Sequence, residues 1–84
     1  MQVSVISAER SVFEGQADAV VAPAYDGFVG ILPRHAPFMT LLGKGVVTIT
    51  RSGEVTKLRV AGGFLQVSGE SVHVVARSAN TADY

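Results

Sequence analysis

Residues 45–60, Gly45-Val46-Val47-Thr48-Ile49-Thr50-Arg51-Ser52-Gly53-Glu54-Val55-Thr56-Lys57-Leu58-Arg59-Val60, decide the fold class. Val47 and Ile49 share one side of an extended arm, and Thr56, Leu58 and Val60 share one side of the next. That period of two is the mark of half-buried strands. Ser52-Gly53 lies between the arms, where glycine can take the positive φ of a tight hairpin turn. The pattern recurs downstream: Phe64-Leu65-Gln66-Val67, a turn at Ser68-Gly69-Glu70-Ser71, then Val72-His73-Val74-Val75-Ala76. Upstream, Val3 and Val5 alternate with polar neighbours until Ser7-Ala8-Glu9-Arg10, and a short strand through Val12-Phe13 ends at Gly15. Residues 17–23 form a third strand, closed by Pro23, which lacks the N–H that a central strand needs. Short strands with turn signals every six to ten residues predict an all-β antiparallel sandwich or flattened barrel.

Two segments do not follow the pattern. Ala36-Pro37-Phe38-Met39-Thr40-Leu41-Leu42 is a continuous apolar run that period alone assigns to neither helix nor strand. Residues 77–84 carry no apolar stripe and are expected to fray.

Composition sets the outer bounds. Eighty-four residues make one domain, residues 1–84, and 48% hydrophobic against 17% charged residues favours a globule over a disordered chain. Seven Lys+Arg balance seven Asp+Glu. A chain with no basic excess is a poor nucleic-acid binder, because affinity for phosphates comes from displaced counterions. No window reaches the length of an apolar membrane span, and the N-terminus lacks the basic start of a signal peptide. With no cysteine there is neither a disulfide framework nor a thiolate zinc site.

No reactive constellation emerges. Gly43-Lys44-Gly45 is the nearest approach to a phosphate-binding loop, but glycine stands at 45 where a hydroxyl belongs and position 38 is not glycine. Gly69-Glu70-Ser71-Val72-His73 begins like a nucleophile elbow and ends in His73 instead of glycine, at a hairpin turn. His35 and His73 are the only histidines, so a metal site would need acids gathered from distant strands. His73 alternates out of phase with Val72 and Val74 and is expected to face solvent. The reading is a chain with no catalytic residue, no metal and no cofactor. The competing readings are a free-standing small-ligand-binding sandwich and, more remotely, a metal enzyme using both histidines.

One segment is unusual: Tyr25-Asp26-Gly27-Phe28-Val29-Gly30-Ile31-Leu32-Pro33-Arg34-His35-Ala36-Pro37-Phe38. Pro33 and Pro37 bracket His35 and restrict the residues before them to extended conformations. A proline-braced loop carrying aromatic groups suits protein recognition, because little entropy is lost on docking.

Gly27-Phe28-Val29-Gly30-Ile31-Leu32-Pro33-Arg34-His35-Ala36-Pro37 resembles the G-x-x-G-I-L-P-x-H-x-P signature of the epsilon-subunit family of F-type ATP synthases. Ser7-Ala8-Glu9, Phe13-Glu14-Gly15, Leu42-Gly43-Lys44-Gly45, Val60-Ala61-Gly62-Gly63-Phe64-Leu65-Gln66-Val67 and Val72-His73-Val74-Val75-Ala76 follow the family pattern in order. The resemblance spans residues 3–79. It implies a ten-stranded β-sandwich and a non-catalytic subunit of the central rotor. Such a subunit docks the gamma subunit to the membrane c-ring and meets the catalytic head transiently, coupling proton-driven rotation to ATP synthesis. It would sit peripherally on the cytoplasmic face of a bacterial inner membrane.

By position, the resemblance puts His35, Ala36, Phe38 and Thr40 toward gamma, with Ala61 and Gln66 nearby. Tyr25, Asp26 and Phe28 would form the turn that meets the c-ring. Gly27, Gly30, Pro33, Pro37, Gly62 and Gly63 would be structural. Phe28 departs from the acid or amide frequent at its position, which shifts polar contact with the c-ring to Asp26, and Gln66 replaces the more usual Glu, which removes a charge from its strand face. The chain stops about where the family's C-terminal helical hairpin would begin, so it is expected to lack the inhibitory arm and ATP site of that hairpin.

Overall fold

Val47, Ile49, Leu58 and Val60, which share the inward phase of the sequence, are all buried, and Val47 stands opposite Leu58 in the strand ladder. The computed structural model describes residues 1–7, 10–34 and 36–81. Eight strands account for most of them: β1 Gln2–Ser7, β2 Arg10–Gln16, β3 Ala19–Ala24, β4 Gly27–Ile31, β5 Phe38–Leu41, β6 Gly45–Arg51, β7 Glu54–Ser68 and β8 Ser71–Thr81. No helix occurs among the described residues. The β6–β7 turn is the expected Ser52-Gly53, with φ of 50° and 82° at its two residues. Positive φ at both positions gives the turn the twist that the flanking strands require. The Ser52 backbone N–H donates to the Asp18 carboxylate at 2.7 Å, which ties this turn to the start of β3.

The strands pair in the order β2-β1-β8-β7-β6-β3-β4, with β5 attached separately to β7. β7 organises the whole. One of its edges pairs with β8 from Leu58 to Ser68, while the other pairs with β6 through Glu54–Val60 and with β5 through Phe64–Val67. Between these two halves, Gly62 and Gly63 have φ of 72° and 103°, a conformation that side-chain-bearing residues adopt only under strain. The ladder turns a corner there. Val3, Val5, Leu65, Val67, Val72 and Val74 come from one side of the corner, and Val20, Val47, Ile49, Leu58 and Val60 from the other. All of them belong to one buried cluster. Extents of 27 × 25 × 24 Å exclude a flat sheet, so the sheet folds over its own apolar face.

Several expectations change. The strand count is eight rather than ten, because β7 and β8 run unbroken past the glycine corner where a count of ten would have each of them end. The sheet is open, with β2 and β4 as its outer members, and not a closed barrel. It is also mixed: β1 lies parallel to β8 while the other pairings are antiparallel. Periodicity reports which face a residue takes and nothing about strand direction. Gly27–Ile31, read as part of a loop, is β4 and pairs with β3. Residues 77–81, expected to fray, continue β8 against β7, with Ala79 buried opposite Val60. The apolar run settles as a strand, β5. Pro23 lies within β3 rather than at its end, beyond the point where β3 leaves β6, and its carbonyl accepts from the Gly43 N–H at 2.8 Å.

Candidate docking surface

β5 is the element that turns fold into surface. Phe38 pairs with Val67 and Thr40 with Leu65, and since Leu65 and Val67 are buried, Phe38 and Thr40 take the inward side of β5. Phe38 is half-buried against the core cluster. Met39 and Leu41 therefore point outward, opposite Gln66 and Phe64. The row beginning at Leu41 continues across Phe64 to Val75 and then Ile6. Four apolar side chains on four adjacent strands thus form one stripe on the outside of the sheet. Leu41 is 62% exposed, Met39 63% and Phe64 37%. Beside this stripe runs a more polar row, Met39, Gln66, His73 and Ser4, in which His73 faces solvent as its phase predicts. Exposed apolar groups this closely gathered mark a contact surface, since scattered ones are ordinary and contiguous ones are not.

The second feature is the β3–β4 turn. Tyr25 and Asp26 occupy its tip, Gly27 opens β4 with φ 136°, and Phe28 follows it opposite Pro23. Tyr25 and Phe28 are 69% and 70% exposed, so two aromatic rings project from one turn. The base of that turn is bound to β5: the Tyr25 N–H donates to the Leu41 carbonyl at 3.1 Å, and the Leu42 N–H donates to the Gly63 carbonyl at 3.0 Å. A continuous chain of backbone bonds thereby links the aromatic turn, the end of the apolar stripe and the glycine corner.

The remaining sequence-derived candidates divide. Ala36, Pro33 and Pro37 are exposed, and Arg34 between the prolines has φ 67°. Gln66 is exposed beside Met39, while Ala61 is half-buried next to the corner. His35 lies outside the described residues. Gly30 is exposed, with open space where a side chain would stand. Met39 and Leu41 were missed, because every residue of Phe38–Leu42 except Thr40 is apolar and the alternation of inside and outside is invisible there; Phe64 was missed although Gln66 on its own strand reveals its outward phase. Among the described residues, no group of three or more His, Cys, Asp or Glu is placed to hold a metal ion. No described helix is long and apolar enough to cross a membrane.

The described residues form an all-β body folded over one core, cornered on two glycines and carrying an apolar outer stripe beside a projecting aromatic turn. Residues 1–82 match the family of the ATP synthase, Delta/Epsilon chain, beta-sandwich domain, and the chain belongs to that family. It is 41% identical over 83 residues to the ATP synthase epsilon chain of Chloroflexus aurantiacus, a match that covers 99% of this chain and 60% of the relative. With the ATP synthase epsilon chain of Leptospira borgpetersenii it shares 40% identity over 75 residues, covering 89% of this chain and 59% of the relative. The chain thus spans about 60% of the length of these curated relatives. Among solved structures, a chain of the Euglena gracilis mitochondrial ATP synthase OSCP/F1/c-ring assembly superposes with a TM-score of 0.88 at 17% identity, covering 94% of this chain and 51% of that one. A chain of the Tetrahymena thermophila mitochondrial ATP synthase central stalk and c-ring gives a TM-score of 0.76 at 15% identity, covering 95% of this chain and 65% of that one. At those identities the likeness is one of fold.

Proposed function

We propose that this chain acts in the central stalk of an F-type, proton-transporting ATP synthase as a non-catalytic rotor component. In this reading it docks the gamma subunit to the c-ring and so couples ring rotation to ATP synthesis in the catalytic head. The observation that carries the reading is the apolar stripe of Leu41, Phe64, Val75 and Ile6, bonded through backbone to the Tyr25–Phe28 turn. The chain's relatives, which are ATP synthase epsilon chains, support it.

The geometry supports a division of labour within this reading. The stripe is the gamma-facing surface, with Met39, Gln66 and Ala36 around it. Phe38 and Thr40 support it from beneath rather than touching gamma themselves. Tyr25, Asp26 and Phe28 meet the ring. A rotor component makes and breaks no bonds; it has to carry torque without slipping. Paired strands in one packed body resist shear, and a buried apolar centre ringed by polar groups makes a durable contact. Attachment to the cytoplasmic face of a bacterial inner membrane would then run through partner subunits.

Titration of the chain onto purified gamma subunit tests the reading directly. The expected result is saturable binding that Leu41→Asp weakens at least tenfold while the thermal melting point is kept. Absence of binding by the parent chain would overturn it.

A further inference from the structure

The corner that folds the sheet also leaves a cleft of about 430 Å³ beside the end of β1, lined by Ser7, Arg10, Arg77, Ser78, Ala79 and Asn80. Its two arginines arrive by different routes. Arg10 opens β2 and pairs with Ser7, the last residue of β1. Arg77 lies on β8 between Ala76 and Ser78, whose ladder partners Gly63 and Ala61 place Gly62 opposite it. Gly62 has no side chain, and the guanidinium fills the space: a Cβ there would stand 2.9 Å from Arg77 Nε and 3.4 Å from Cζ. The Arg77 side chain is thus laid over the corner backbone instead of extending freely into water.

Neither arginine has an ion-pair partner among the described residues, and no described acid lines the cleft. Residues carrying two guanidinium forks, two serine hydroxyls and one amide line this single cleft. Guanidinium groups match tetrahedral oxyanions two bonds at a time, and hydroxyl and amide donors can satisfy the remaining oxygens. A lone carboxylate would use one fork and leave the other uncompensated.

We propose that this cleft binds a phosphate-type oxyanion, either free orthophosphate or the phosphate group of a monoester. The site borders the Ile6 and Val75 end of the apolar stripe but does not depend on the rotor reading.

The test is an NMR titration of the 84-residue chain at constant ionic strength, with orthophosphate, glycerol 3-phosphate and acetate as separate probes. Saturable shifts at the amides of Ser7, Arg10, Arg77 and Asn80 with either phosphate, and none with acetate, are the expected result. Tighter binding of glycerol 3-phosphate would assign the site to a monoester, and tighter binding of orthophosphate to the free ion. Arg77→Gln and Arg10→Gln should each weaken binding at least tenfold, with Arg77→Lys intermediate and the exposed control Lys57→Gln unchanged. All four variants should melt like the parent in chloride. Non-saturating shifts, equal response to acetate, or unaltered affinity in both Gln variants would overturn the proposal.

Discussion

Gly63 and Val75 meet backbone to backbone across the β7–β8 ladder, so closely that a Cβ on Gly63 would run into the Val75 carbonyl oxygen and lie 2.9 Å from the Ala76 Cα. The corner that brings the two halves of the sheet over one core depends on that contact, and Gly63 takes φ 103° to make it. Since the obstacle is backbone on both sides, nothing flexible can give way. Gly63→Ala is expected to cost at least about 3 kcal/mol, combining conformational strain with displaced strands. Gly30 belongs to the Gly27–Pro37 stretch that resembles the family signature, but it has ordinary φ and open space around it. Gly30→Ala should change stability by less than about 0.5 kcal/mol. Urea unfolding of both variants measures the contrast, and equal losses would contradict the corner's role.

Leu41 and Leu65 make a second contrast, on neighbouring strands of one sheet. Leu65 is fully buried, whereas Leu41 is mostly exposed. Leu65→Ala should destabilise the fold by about 2–5 kcal/mol, through lost burial and the cavity left behind. Leu41→Ala should leave unfolding within about 0.5 kcal/mol of the parent and appear instead as weaker binding to gamma. Calorimetric melting read together with a binding titration separates the two effects.

The same pair shows how far the sequence could be read. Leu65 sits in Phe64-Leu65-Gln66-Val67, where a polar neighbour reveals the phase and hence the buried side. Leu41 sits among apolar residues on both phases, so neither its strand nor its outward direction was legible. Thr40, which the family resemblance put toward gamma, is turned inward by its pairing with Leu65. β4 was hidden for another reason: glycines at 27 and 30 and the following Pro33 read as loop chemistry, yet β4 ends at Ile31, before the proline. Residues 77–81 looked featureless because the single core contact of that stretch is Ala79. The glycine corner was visible as Gly62-Gly63, but that both strands would pass through it unbroken depends on pairing between residues distant in the chain.

The aromatic turn gives a prediction about the ring. Asp26 stands between Tyr25 and Phe28 at an exposed tip. If the turn meets basic loops of the c-ring, Asp26→Lys should reduce retention on detergent-solubilised ring about tenfold at low salt. The difference should shrink as salt is raised, because exposed charges are screened. Phe28→Ala should also reduce retention, with much weaker salt dependence. A common salt response for both variants would count against a mixed aromatic and acidic contact.

Thr40 and Gln66 separate support from contact within the gamma-facing region. Thr40 is half-buried opposite Leu65, and Gln66 is exposed opposite Met39. Thr40→Asp would force a carboxylate toward an apolar interior, at a cost of about 2 kcal/mol or more even after partial solvation. The melting temperature should therefore fall, and any loss of gamma binding should track the unfolded fraction. Gln66→Asp places its charge in water, so melting should match the parent while gamma binding falls through desolvation of the new charge at the interface. Thr40→Val, which keeps the shape and drops the hydroxyl, should bind gamma like the parent. If instead Thr40→Asp melted normally and still lost binding, Thr40 would be a contact residue and β5 would present its other side to the stalk.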